Sequence, residues 1–333
     1  VRSLSFVGPG PIEWAEGRFF ALRDLSRRIT YRVFGETDSE EVADNGEPVL
    51  AEPVFQLSPG REVGQDTSDF TWPPPRVKPP VFSRAKKGEG KWVPAVPDFV
   101  RTLPEAPSPI YKTFVRPDLV RPYVRVDLFA MDMRQLELHM VGGHEDPRST
   151  TGSVGTGKIP HRKEILSRLV AAYNGAFKTM HGAYGMMVER DVLLPPRERA
   201  ATVAALDGGQ AAMGSWPKGA SIPANMVSLR QNLDPLVENG VVNPRRRYLW
   251  GFTLSEDIQQ MNTVRSGICM TDNGTMIYAW GEDLTATTLG TAMNAAGCVY
   301  GMHLDMNPLH TAFIYYRFDE DPNLTKLTYQ SKL

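Results

Sequence analysis

The chain holds only two cysteines in 333 residues, Cys269 and Cys298. That is too few for a disulfide-built scaffold, and they do not form a Cys-x-x-Cys pair. There is no His-Glu-x-x-His and no His/Cys cluster at zinc-ligand spacing, which excludes the common zinc sites. No apolar run approaches the roughly 20 residues that cross a bilayer, so no transmembrane segment is expected. Neither sign of charge is in excess: 37 basic and 38 acidic residues leave a net −1. Without a basic stripe carrying interleaved aromatics, a dedicated nucleic-acid binder is excluded, and Arg245-Arg246-Arg247 reads as a solvated turn. No repeat of fixed period is present.

What is present suffices for one large domain, or a domain with an extension, and for a sizeable core without metals or disulfides. The chain begins at Val1 rather than Met, the pattern of a processed or trimmed product, and a removed signal peptide fits it. Cys269 and Cys298 sit in apolar, strand-like surroundings. Two readings stay open for them: buried free thiols, the commoner case, or one disulfide if their strands are neighbours, which would favour an oxidising compartment.

Residues 1 to about 95 differ from the rest. Pro73-Pro74-Pro75, Pro79-Pro80 and Lys86-Lys87-Gly88-Glu89-Gly90-Lys91 interrupt any periodicity, because proline removes a ladder donor and fixes φ. Residues 12–28 are expected as an amphipathic helix and 29–34 as a strand. The remainder reads as an extended Pro-rich arm, draped over the following domain or another subunit. The domain itself is expected over 96–333.

Within that domain 123–129 alternates as a strand should, and 136–141 reads as a second strand. Residues 163–172 are a helix candidate with Ile165, Leu166, Leu169 and Val170 on one face. Strands are expected at 184–189 and 202–206, the latter turning at Asp207-Gly208-Gly209 to pair with 210–213. Further on, 266–271 and 275–280 flank Asp272-Asn273-Gly274 as a hairpin. A helix is expected over 287–296 with Gly297 as its C-cap, then strands at 299–304 and 311–318. Strands dominate, with two or three helices, so the fold class is α+β, a strand-rich mixed sheet.

Three segments invite a chemical reading. Gly152-Ser153-Val154-Gly155-Thr156-Gly157-Lys158 matches the opening of a phosphate-binding loop, but Ile159 replaces the hydroxyl and Pro160 stands where a helix should start. It reads as a glycine-rich loop. In Asn174-Gly175-Ala176-Phe177 an amide that both donates and accepts follows an apolar run into a turn, and His181 and Tyr184, bracketed by glycines, are expected to line the same cleft. His303-Leu304-Asp305-Met306-Asn307-Pro308-Leu309-His310 packs two imidazoles, a carboxylate and an amide into eight residues. On a strand His303 and Asp305 would share a face, an acid–base arrangement. A divalent metal stays open, although one carboxylate is thin for a hard cation; no other cofactor is expected.

In this order the motifs resemble the phosphodiester glycosidase domain family over about residues 95–320. Its Asn-Gly-Gly-Phe-Phe segment is similar to Asn174-Gly175-Ala176-Phe177-Lys178, its Arg-Thr-Ala-Ile-Gly strand to Arg265-Ser266-Gly267-Ile268-Cys269, and its Leu-Asp-Gly-Gly-Gly-Ser-Ser turn to Leu304-Asp305-Met306-Asn307-Pro308-Leu309-His310. The chain departs from it at Ala176 and Lys178, and after Asp305, where bulkier residues and a proline replace the glycines that would give amide donors to a phosphate.

The resemblance implies a secreted, periplasmic or cell-surface hydrolase acting on a sugar-1-phosphodiester or related glycan linkage. Asp305 is the expected carboxylate at the anomeric centre, Arg265 the grip on an anionic group, Asn174 an orienting amide, and His303 or His310 a proton shuttle. Asp207 is the candidate second carboxylate that a glycosidase ordinarily requires. Gly175, Phe177, His181, Tyr184, Asn307 and His310 are expected to line the substrate site. The alternative is a catalytically degenerate member serving structure, assembly or glycan binding, with the N-terminal arm joining copies in a homo-oligomer or surface assembly.

Overall fold

Strand alternation organises the molecule. A computed structural model describes residues 9–34, 55–57, 71–100, 102–103, 105–143, 146–246, 261–317 and 326–329. Among these, the chain runs through helix α1 (Pro9–Phe34), strands β1 (Gln56–Leu57), β2 (Val93–Pro94), β3 (Ile110–Val115) and β4 (Val126–Met131), and one helical turn, α2 (Lys163–Leu166). Strands β5 (Ala171–Tyr173), β6 (Met186–Val188), β7 (Asp191–Leu194), β8 (Ala201–Leu206), β9 (Ala211–Ser215), β10 (Met226–Gln231), β11 (Val237–Glu238) and β12 (Val241–Val242) follow. Then come β13 (Thr263–Thr271), β14 (Met276–Leu284), helix α3 (Ala286–Ala295), β15 (Cys298–His303), β16 (Phe313–Arg317) and β17 (Lys326–Tyr329). The class is α+β, as the sequence implies.

Two antiparallel sheets face each other. One has eight strands in the order β12-β11-β15-β13-β14-β4-β3-β2, the other six in the order β1-β9-β8-β10-β6-β7. Side chains alternate across each strand, so Ile268 and Met270 of β13, Tyr278 of β14 and Phe129 of β4 meet Val203 of β8 and Met213 of β9 in the core between the sheets. The other face of the same strands, through Cys269, Ile277, Ala279 and Leu128, packs on Leu289, Ala292 and Met293 of α3. Gly267 is required there: a Cβ would lie 2.7 Å from the Met302 carbonyl oxygen, a backbone atom held in the neighbouring strand. A third sheet, β17-β16-β5, adds Phe313 and Tyr173 to the inter-sheet core, with Phe129 and Phe313 stacked at 5.0 Å.

Several expectations need correction. Residues 29–34 are the end of α1, not a strand. Residues 136–141 form no strand; Leu136, Leu138 and Met140 alternate because one side of an irregular segment packs on the core. The helix expected over 163–172 is confined to Lys163–Leu166, and Ala171–Tyr173 is a strand. The hairpin of β13 and β14 is longer than expected, and α3 is capped by Thr285, whose hydroxyl accepts from Thr288 N. Gly297 follows α3 at φ +87°, a left-handed cap only glycine takes without strain. Cys269 and Cys298 are not free thiols: they are joined, on the neighbouring strands β13 and β15. Within the proline-rich stretch, Val77 and Trp92 pack on the α3-side core and β2 pairs with β3, so residues 72–94 lie against the domain.

Candidate functional site

The two sequence motifs meet. β5 ends at Tyr173, paired with Phe313, and delivers Asn174 directly beyond the sheet. β15 ends at His303, and the chain stays tied to β13 for two more residues through Leu304 N to Ser266 O (2.9 Å) and Ser266 N to Asp305 O (3.0 Å). There Asn174 Nδ2 donates to Asp305 Oδ2 at 2.6 Å across 131 positions of sequence. The amide is used at both ends, since its Oδ1 accepts from Ala176 N at 2.8 Å. Ala176 has φ +56°. That is a left-handed conformation, which an alanine takes less readily than a glycine would.

Asp305 is half-buried. Its Oδ1 accepts from Asn307 N at 2.9 Å. Burial pushes its carboxyl above the ordinary carboxylate range; the Asn307 N–H, the nearby His310, the Met306 N–H and the Asn174 amide oppose that rise. Behind it Ser266 Oγ donates to Asp305 O at 2.7 Å. Tyr278, hydrogen-bonded to Ser266 and within reach of the Asp305 charge, has its hydroxyl pushed up chiefly by burial. Asn307 turns inward on its own loop: its Oδ1 accepts from Leu309 N and its carbonyl from His310 N, both at 3.0 Å. His310 is exposed beside the carboxylate, and its carbonyl lies 3.5 Å from Asn174 Nδ2.

Other expected residues serve different roles. Phe177 is buried with Leu233 and Met306 in a small apolar cluster, on which Ala176, Tyr184 and Met261 pack. His181 accepts from Lys178 N through Nδ1 at 3.2 Å and meets the Phe177 ring edge-on at 5.9 Å. Tyr184 lies beneath the Arg197 guanidinium, 5.3 Å from its ring centre. Gly175 contributes its carbonyl, not an approach to ligand: it accepts from Asn232 Nδ2 at 2.8 Å.

The structure does not bring Asp207 to this site. It is exposed on the β8–β9 turn, with both carboxylate oxygens held by Arg190 Nη2 at 2.7 and 2.8 Å. Nor do His303 and Asp305 share a face. His303 opposes Gly267 and therefore points, buried, to the α3 side, while the Asp305 carboxylate turns to Asn174 once the strand has ended. Arg265 is on the α3 side too, by alternation from Gly267 and Cys269. It is 1 % exposed and not at a strand mouth. Its Nε donates to Leu284 O at 2.9 Å and its Nη2 to Met261 O at 3.2 Å, and Nη1 has no hydrogen-bond partner among the described residues. Burial lowers its pKa to about 10.

Two residues that sequence reading passed over hold the site together, both at the end of β10. Arg230, buried and with its pKa lowered by burial to about 10, donates to Ala176 O (2.7 Å), Tyr184 O (3.1 Å) and Phe177 O. Asn232, fully buried, donates through one Nδ2 to Gly175 O at 2.8 Å and to His303 O at 3.0 Å, so a single amide joins both motifs. The only available signal was polar residues in an apolar strand, which reads as a solvent face. Among the described residues no group of three or more His, Cys, Asp or Glu could hold a metal ion.

The arrangement thus presents one carboxylate of raised proton affinity, with an amide donor on one oxygen and a backbone donor on the other. Neither a family model nor a curated protein sequence matches the chain. Among solved structures it is similar to the catalytic domain of zebrafish N-acetylglucosamine-1-phosphodiester alpha-N-acetylglucosaminidase, auto-inhibited by its pro-peptide. That likeness has 11% identity and a TM-score of 0.43 over 68% of this chain and 78% of that one. A protein of Burkholderia pseudomallei K96243, named as exported, is similar at 10% identity and a TM-score of 0.29, over 59% of this chain and 71% of that one. Both likenesses are weak, and no property of either protein passes to this chain on their account. No helix of the described residues is long and apolar enough to cross a membrane.

Proposed function

We propose that the chain is an extracytoplasmic protein with a phosphodiester-glycosidase-type site, which hydrolyses a sugar-1-phosphodiester or related glycan linkage with Asp305 as its working carboxylate. The observation that carries this reading is the 2.6 Å contact between Asn174 and Asp305, which unites the two motifs of the family resemblance. The Cys269–Cys298 disulfide supports an oxidising compartment.

Among the described residues no second carboxylate stands beside Asp305, which counts against an ordinary glycosidase, but less against this substrate. A phosphomonoester leaves as a stable anion and needs no proton, so one base is chemically sufficient. Water attacks the anomeric carbon and gives its proton to Asp305. The bond from that carbon to the phosphate oxygen breaks, and its electron pair stays with the phosphate. Asn174 fixes the carboxylate, and the exposed His310 beside it can carry the proton to solvent. Arg265 and His303 are assigned no contact with substrate.

A second reading, a degenerate member that binds glycan or assembles through its N-terminal segment, is favoured by one observation. Met306 is buried against Phe177 and Leu233 directly after Asp305, where the family has glycine. The test pairs release of sugar from a sugar-1-phosphodiester with calorimetric binding, for the wild type and Asp305→Asn. The proposal expects turnover in the wild type and a loss of about a hundredfold or more in the variant. Full activity in Asp305→Asn would refute the assignment; binding without turnover in the wild type would establish the second reading.

A further inference from the structure

In an Asn-Gly pair the asparagine side chain is open to attack by the next backbone nitrogen, because glycine carries no Cβ to crowd the five-membered ring that closes. Three such pairs lie in the described residues: Asn174-Gly175, Asn239-Gly240 and Asn273-Gly274. Their attacking nitrogens differ. Gly240 N donates to Val299 O and Gly274 N to Thr271 O, both at 3.1 Å. The Gly175 N–H has no hydrogen-bond partner among the described residues. Asn174 is also exposed, where Asn239 and Asn273 are half-buried.

We propose that Asn174 is a site of spontaneous deamidation, through which Asp305 loses its amide donor. Asn174 Oδ1 accepts from Ala176 N at 2.8 Å. That bond folds the side-chain carbonyl back over the Gly175 peptide, and it offers a donor to the charge that develops on the oxygen. Gly175 N releases its proton to solvent and bonds to Asn174 Cγ. The Cγ–Nδ2 bond breaks, and Nδ2 takes up a proton and leaves as ammonia. Asp305 Oδ2 faces that nitrogen at 2.6 Å, on a carboxyl whose hold on a proton is raised by burial, so it is placed to supply the proton. Water then opens the cyclic imide at either carbonyl, leaving aspartate or isoaspartate at position 174. An acceptor then faces Asp305 where a donor stood, and the link between the two motifs is lost. Loss of function by this route rests on the reading of Asp305 given above; the deamidation itself does not, since mass reports it without any substrate.

The test is warm incubation of the folded full chain at mildly alkaline pH, followed by peptide mapping with mass spectrometry. The rate at each pair is taken relative to the same pair in the chain unfolded by urea. The expected result is that Asn174 deamidates about fivefold or more faster than Asn239 and Asn273, the factor of one backbone hydrogen bond that the other two must first break. Gly175→Ala should slow the reaction at Asn174 about fivefold and leave the other two pairs as they were. That variant keeps the fold, because a Cβ at Gly175 meets nothing nearer than Arg230 Cγ at 4.0 Å; an unchanged thermal transition checks it. A relative rate at Asn174 no greater than at either other pair would overturn the proposal. So would an unchanged rate at Asn174 in a folded Gly175→Ala chain.

Discussion

The two walls of the site are held by different means. The Asp305 wall is a continuation of the sheet: β15 ends at His303, and the chain beyond it remains hydrogen-bonded to β13 through Ser266. The Asn174 wall leaves its sheet at Tyr173 and has no ladder partner. Its carbonyls at Gly175, Ala176 and Phe177 are satisfied from behind by Asn232 and Arg230. A ladder spreads its support over many weak bonds. A side chain concentrates it, so that one substitution can leave several buried acceptors without donors.

That contrast can be broken most directly at Arg230. Arg230→Met removes the donor to three carbonyls, that of Phe177 buried and those of Ala176 and Tyr184 partly so, and should cost about 3 kcal/mol in urea unfolding. A loss below about 1 kcal/mol would mean that the Asn174 wall does not depend on it. Ser266→Ala should cost only about 1 kcal/mol, because Ser266 N still bonds Asp305 O. A penalty equal to that of Arg230→Met would erase the difference between the walls.

The smallest effect is one of pH. Burial raises the Asp305 carboxyl, so the folded state binds its proton more tightly than the unfolded state, where the value is about 3.9. The cost of ionising it is absent below that value and grows as pH rises through the folded value. Stability of the wild type relative to Asp305→Asn should therefore fall with pH just above the ordinary carboxylate range and then level off. A flat difference would show that the carboxyl is unperturbed, and the same rise would be missing from any activity profile.

Legibility in the sequence followed the same division. The β13–β14 hairpin, α3 and β15 were read close to their true positions, because alternation, turn and cap all lie within a few residues of one another. The two motifs, each ending an apolar run, were expected to lie together, and Asn174 and Asp305 do meet, although their hydrogen bond was not foreseen. The failures came where a local pattern had two physical causes. Leu136, Leu138 and Met140 alternate because one side is buried, which a strand and an irregular segment both satisfy. Residues 29–34 contain β-branched and aromatic side chains suited to a strand, but the helix before them continues, with Tyr31 against Tyr123. Asp207 was grouped with Asp305 by residue type and Arg265 by the family resemblance; the fold pairs the first with Arg190 and sinks the second under the sheet. Arg230 and Asn232 could not be read at all, since their partners are carbonyls and carbonyls leave no trace in a sequence.

The bond between Cys269 and Cys298 closes a covalent ring around the rest of the hairpin and α3. Tension applied along the chain would cross that ring through the sulfur bridge and bypass β14 and α3 altogether. A cut at the exposed Asp272 turn would open the ring without separating the pieces. The segment most central to the larger sheet is thus also the one part of the molecule that neither stretching nor a single break can draw out.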